Sequence, residues 1–261
     1  MSYELDDVKF TREYFASYPD RMLIDGKIDG NGQMYSVIIR VINNGGILSP
    51  ENGRMTVSGA NSVTVLYTVA TEYRPMPPLY SGADAKGICR KLIDDTSNMD
   101  YSELKRRHVE DYQNLYSRVH ITMVGDPELE VLPTNKRLEL LKQGTNDDTG
   151  LKVLLFNLGR YLLISASRET TFPSNLQGTW NTYKHARWSG NYQSNINLQL
   201  MYWTAGPLNL AETQEAYINW IETLVEPGRK VAREYYGTGI CGASMNLQGV
   251  RNILKKEPGR L

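Results

Sequence analysis

The sequence predicts a multidomain β + α protein: part of an antiparallel β-sandwich, a helical linker, and the first helices of an α/α toroid. Three observations predict it. Residues 1–75 alternate short β-branched and aromatic runs with Asn/Gly turns. The Pro- and Gly-rich connector RPMPPLYSGADA (74–85) then ends that pattern. Beyond it, apolar residues recur at helical spacing in consecutive segments joined by short turns. The expected organisation is a partial β-sandwich over 1–75, a connector and linker over 76–147, a helical domain over 148–238 and a tail over 239–261.

The β part reads as VKFTREYF (8–15), RMLIDGKI (21–28), YSVIIRVI (35–42) and SVTVLYTVATEYR (62–74). Turns fall at residues 29–32, 43–46 and 51–53, where Asn, Asp and Gly supply positive-φ conformations. In the last strand Val63, Val65, Tyr67 and Val69 face one way, and Leu66, Thr68 and Ala70 the other. Apolar side chains on both faces predict a strand covered on both sides, as in a sandwich. Four or five strands are few for a closed one, so an unprotected edge is expected.

The helical part opens with Asp100 and Glu103 at capping-box spacing. Leu104, His108, Tyr112 and Leu115 follow at helical intervals, which reads His108 as a packing residue on an apolar stripe. HITMV (120–124) has the composition of a short strand. Pro133 and Thr134 start a helix through Lys142, closed by Gly144. The strongest helix runs from Thr149 to Ser167, with Leu151, Leu154, Leu155, Leu158, Leu162 and Ser165 on one face. Val153, Phe156, Leu163 and Ile164 occupy the others, the pattern of a buried helix in an all-α barrel. Asn209 is placed to cap a helix presenting Ala216, Tyr217, Trp220, Ile221 and Leu224. Pro227 then starts another, with Val231 and Tyr235 inward and Gly237 at its end.

Charge is balanced, with 29 basic and 29 acidic residues, which argues against a nucleic-acid partner or a polybasic membrane surface. No apolar run has the length of a membrane span. MSYELDDVKF has no basic segment leading into an apolar core, so no signal peptide is expected and localisation stays open. Cys89 and Cys241 leave a disulfide open without implying one. His108, His120 and His185 lack metal-ligand spacing.

The candidate site is the stretch from Phe172 to Glu212. It gathers Asn175, Gln177, Asn181, Asn191, Gln193, Asn195, Asn197 and Gln199 among Trp180, Trp188, Tyr192, Tyr202 and Trp203. Carboxamides supply both a donor and an acceptor, the pair that reads a hydroxyl. Aromatic faces suit the C–H face of a sugar ring. These materials point to a neutral polyol rather than a phosphate, unless they are a polar layer between helices.

FPSNLQGTWN, then NINLQ and YW, then NLAE, resemble the central signature of glycoside hydrolase family 95, the inverting α-L-fucosidases with some relatives acting on α-L-galactosides. LGRYLLISASR (158–168), YSELKRRHVEDYQNLYSRV (101–119) and SYELDDVKFTREYFASYPD (2–20) resemble the flanking segments, and the likeness runs to about Gly237. The resemblance implies an N-terminal β-sandwich, an (α/α)6 catalytic domain, a fucosylated glycan as substrate, no metal or organic cofactor, and export in many members. It leaves the oligomeric state open. Asn195 and Asn197 match the asparagine pair that positions the attacking water, and Gln193 stands where a sugar-contacting His is common. With Trp188, Gln193 is expected to bind substrate. The family's general acid and polarising aspartate lie farther downstream than residue 261, so the chain reads as a truncated member. Glu212 is then a structural carboxylate rather than the acid. An unfinished barrel is expected to leave the helix around Leu151–Ile164 exposed on one side.

Residues two apart diverge on a helix, so the asparagines converge only on a bent backbone. A non-helical Ser194–Leu198, with a helix starting near Leu198, is therefore expected.

Overall fold

The structure, a computed structural model, describes residues 19–28, 32–51, 54–74, 80–144, 147–168, 172–183, 187–194 and 196–238. The chain divides into two compact units, 1–107 and 108–261.

In the first unit β1 (Arg21–Lys27), β2 (Met34–Asn44) and β5 (Ser62–Thr71) form an antiparallel sheet in the order β1-β2-β5. Leu23 pairs with Ile38, and Ile39 with Tyr67, so alternate residues share a face. Gly26 lets β1 approach the Tyr35 ring, which a Cβ at that position would overlap at 2.2 Å. α1 (Ala85–Asp95), capped by Asp84 accepting from the Gly87 N–H, lies on one face. Leu23, Ile38, Cys89 and Ile93 form the core there, with Leu66 and Ala70 against it. Cys89 is a free, buried thiol whose burial raises its pKa; Cys241 lies outside the described residues.

The expectation of a strand covered on both faces is corrected. Leu66 and Ala70 meet α1, whereas Val63, Val65, Tyr67 and Val69 are exposed among the described residues. The expected first strand, 8–15, lies outside the described residues. A hairpin absent from the sequence reading, β3 (Ile47–Glu51) with β4 (Arg54–Ser58), pairs antiparallel with Glu51 opposite Arg54. Met55 and Val57 alternate with polar residues in β4, but each strand has only five residues and Pro50 lies inside β3, which leaves the signal weak.

α2 (Tyr101–Tyr116) begins as the capping spacing predicts, with Asp100 accepting from the Glu103 N–H at 2.8 Å. Leu115 is buried, but His108 is exposed, which corrects its reading as a packing residue. HITMV forms no strand. α3 (Pro127–Glu130) and α4 (Thr134–Lys142) follow, the latter ended by Gly144 at φ +68°.

α5 (Thr149–Ala166) starts at Asp148, which caps the Leu151 N–H and makes two 2.7 Å bonds to the Arg137 guanidinium. That guanidinium holds the Asp148 carboxyl down to about 2. The buried side of α5 is Leu151, Arg160, Ile164 and Ala166. Leu154, Leu155 and Leu158 are exposed, so the leucine face is not the core face and the helix is one-sided. Arg160, fully buried, donates to the carbonyls of Leu115, Tyr116 and Val119, satisfying the C-terminal end of α2.

α7 (Thr213–Tyr236) is one continuous helix. Pro227 sits inside it and starts no second helix, and Tyr235 is exposed rather than inward. Glu212, not Asn209, occupies the N-cap position. Gly237 ends the helix at φ +63°, the left-handed conformation glycine adopts without a Cβ penalty.

Candidate functional site

The site is carried by α6 (Asn197–Trp203), a short helix packed through Leu198 and Tyr202 onto Trp220 of α7. The Tyr202 hydroxyl is its anchor. The Ser167 hydroxyl donates to the Thr213 carbonyl at 2.9 Å, so its oxygen is left to accept the Tyr202 phenol at 2.7 Å. Tyr202 in turn accepts the Ser174 N–H at 2.9 Å. This buried chain ties α5, α6, α7 and the loop after Phe172 together.

Two loops are then stitched over the helix start. The Leu176 N–H donates to the Asn191 carbonyl, and the Asn191 N–H to Trp188, closing a 3-10 turn over Arg187–Gly190. The Leu198 N–H reaches the Gln193 carbonyl at 3.4 Å, while Gln199 Nε2 donates to the Ser194 carbonyl at 2.6 Å. Ile196 has φ −147° and ψ −35°, outside the helix, and Asn197 is the first helical residue. Helix onset thus falls one residue ahead of the expected Leu198. Asn195 lies outside the described residues.

These loops border a half-open pocket of about 420 Å³ lined, among the described residues, by Leu176, Gln177, Arg187, Trp188, Gln193 and Asn197. Its volume is within the roughly 300–1,000 Å³ of small-molecule sites. Three of the four expected site residues, Trp188, Gln193 and Asn197, therefore share one pocket. Trp188 is 73% exposed, with its ring available. Gln177 Nε2 donates to the Arg187 carbonyl, which fixes the amide and makes its Oε1 an acceptor. That Oε1 is buried without a hydrogen-bond partner. Trp188 at φ +56° and Gln193 at φ +48° hold a conformation that costs a non-glycine residue about 1–2 kcal/mol. Tyr80 and Asn209 hold the same conformation elsewhere in the chain, so it is not peculiar to the pocket.

The rest of the aromatic and carboxamide set is dispersed. Tyr202 is in the core, Tyr192 packs on Trp220 with ring centroids 4.8 Å apart, and Trp180 stacks on Tyr161. Trp203 is exposed, and Asn181 accepts from the Tyr183 N–H. Leu176 and Arg187 were missed by the sequence reading, because no spacing or composition signal sets them apart. Glu212 pairs with Arg118 at 2.6 Å. A backbone hydrogen bond at its own position and the Arg118 guanidinium hold its carboxyl below the usual range, so it is ionised at neutral pH. Among the described residues lining the pocket, Arg187 is charged and none is a carboxylate.

Comparison with known proteins gives this pocket a setting. Residues 100–254 match the glycosyl hydrolase family 95 catalytic domain, from ahead of the helical domain expected at 148 and into the tail set apart at 239. The chain is 36% identical over 217 residues to "Alpha-L-fucosidase 2" of Arabidopsis thaliana, covering 80% of this chain and 26% of that protein. It is 35% identical over 199 residues to "Probable alpha-fucosidase A" of Aspergillus oryzae, covering 73% of this chain and 26% of that protein. The chain thus spans about a quarter of the length of these relatives. More than half of its residues fit one domain model, and the signature stretch that builds the pocket lies inside the match: the chain belongs to glycosyl hydrolase family 95.

Proposed function

We propose that this chain forms one wall of the sugar site of an α-L-fucosidase-type glycoside hydrolase. The reaction is removal of terminal α-L-fucosyl residues, classically 1,2-linked, from glycans with inversion; α-L-galactosides are the alternative substrate. The observation that carries the reading is the convergence of Trp188, Gln193 and Asn197 on one pocket in a family 95 chain. In this reading the first 75 residues are part of a β-sandwich, and the helices from 148 begin an (α/α)6 toroid.

The sugar-binding roles follow from side-chain chemistry, and the water-positioning role of the asparagine pair from the family resemblance. Trp188 offers an apolar face to the ring, and Gln193 a donor and an acceptor to its hydroxyls. Asn197, with Asn195, holds a water against the anomeric carbon. Inversion needs a proton for the leaving oxygen and a base for that water, on opposite faces of the sugar. A carboxamide orients water through its oxygen but is too weak a base to keep the proton. Two carboxylates must supply those steps. Glu212 is ionised, which rules it out as the proton donor, and it pairs with Arg118 instead of lining the pocket, which places it away from the water.

The absence of a carboxylate among the described lining residues also favours a second reading, sugar binding without turnover. A crystal of the chain soaked with L-fucose tests the site. The ring is expected against Trp188, with hydroxyls at Gln193 and the anomeric carbon toward Asn197. Fucose bound elsewhere overturns the assignment. Release of fucose from a 1,2-linked oligosaccharide separates the readings, since a binding module gives saturable tryptophan quenching but no product.

A further inference from the structure

We propose that the pocket takes an anionic glycan, with Arg187 reading a carboxylate or sulfate ester carried by the sugar or its neighbour; this rests on the sugar-site reading above.

Arg187 is distinguished by its place: among the described residues Arg160 and Arg233 also lack a carboxylate partner, but Arg187 lines the pocket. Arg118, Arg137 and Arg168 each lie on a carboxylate, at 2.6, 2.7 and 2.5 Å. Among the described residues Arg187 has no such partner, although it lines a pocket. Its backbone is nonetheless pinned. The Arg187 carbonyl accepts from Gln177 Nε2, and the turn it opens is closed by the Asn191 N–H donating to Trp188. The base of the side chain is therefore fixed at the pocket wall, and less freedom is lost when its guanidinium engages a ligand.

The guanidinium is planar, weakly hydrated and always charged. Its fork donates two parallel N–H bonds to a carboxylate or to two oxygens of a sulfate. Arg187 shares the pocket lining with Leu176 and Trp188, which offer apolar surface to the rest of such a ligand. The other polar groups, Gln177, Gln193 and Asn197, are neutral and suit hydroxyls. A ligand complementary to this lining has several hydroxyls, one apolar ring face and one negative charge. The pocket also exceeds the volume of one deoxyhexose ring, which leaves room for a charged substituent or a second sugar.

The test is a tryptophan-fluorescence titration of the full chain with three probes. They are L-fucose, a sulfate ester of L-fucose, and a fucosylated disaccharide containing a uronic acid. At low salt, at least one anionic probe is expected to bind about tenfold tighter than L-fucose. That advantage should shrink with added salt. Arg187→Gln should bring the anionic-to-neutral ratio to about one, and Arg187→Lys should keep part of it. Preference for the sulfate or for the uronate identifies the source of the charge. If L-fucose binds but neither anion binds tighter, or if Arg187→Gln preserves the ratio, the inference is overturned while the sugar-site reading stands. If none of the three binds, the sugar-site reading falls and this inference with it. Circular dichroism of both variants verifies folding, and the lysine variant decides if the glutamine variant is unfolded.

Discussion

The support beneath the pocket and the wall around it are built by opposite rules. Beneath, Tyr202, Trp220, Leu198 and Ile164 are almost wholly buried, and the Tyr202 phenol is hydrogen-bonded on both sides. Around the pocket, Trp188 is largely exposed, two non-glycine residues hold positive φ, and the Gln177 acceptor is unmatched. Packing and hydrogen bonding dominate the first region, although Trp220 Nε1 is unmatched there too, whereas the second combines exposure with positive φ. If the wall is the sugar site proposed above, stability and recognition reside in different side chains a few residues apart, and substitutions should separate them.

The largest effect is expected deep in the support. Arg160→Leu leaves the carbonyls of Leu115, Tyr116 and Val119 without their donor. Each unsatisfied group costs roughly 1–3 kcal/mol, so urea unfolding should lose about 3 kcal/mol or more. A smaller loss would mean that water replaces the guanidinium. Tyr202→Phe comes next: it preserves the ring and strands the Ser174 N–H, for about 1–3 kcal/mol. Sugar affinity should fall with it, because that bond anchors one pocket loop. Unchanged affinity would show that wall and support are independent.

At the wall the sign should reverse. Gln193→Gly relieves a positive φ and is expected to raise stability by up to about 1 kcal/mol while weakening L-fucose binding. A destabilised variant would disprove the claim of strain. The smallest effect near neutral pH concerns Asp148. Its folded pKa is depressed from 3.8 to about 2, so the unfolded chain binds the extra proton. Its contribution is complete above about pH 4 and is lost as pH falls toward 2. Equilibrium unfolding along that range should show a slope that Asp148→Asn removes.

Much of this was legible from local rules. Alternation located β1, β2 and β5, and the Asp100 spacing, Gly144 and Gly237 located helix ends because each acts within one turn of chain. Family likeness nominated Trp188, Gln193 and Asn197. What escaped depends on partners distant in sequence. α5 is leucine-rich nearly all round, so only the partners it meets, Leu115 and Leu210, reveal that Ile164 is its core side. Arg187 looks like any surface arginine until the Gln177 loop folds against its turn. Composition could not tell which aromatics serve the ligand. Tyr202 and Trp188 read alike, yet one is structural and the other faces the pocket. Pro227 misled for the opposite reason, since a strong local breaker was overridden by burial of the helix on both sides of it.

That proline has a consequence of its own. Lacking an N–H, it cannot complete the bond to the Thr223 carbonyl one turn earlier, so α7 has a gap in its ladder at mid-length. Deuterium uptake should therefore be uneven along the rod. The segment bearing Trp220 should exchange slowly with the core it braces, while the stretch from Arg229 to Tyr236 opens on its own, faster schedule.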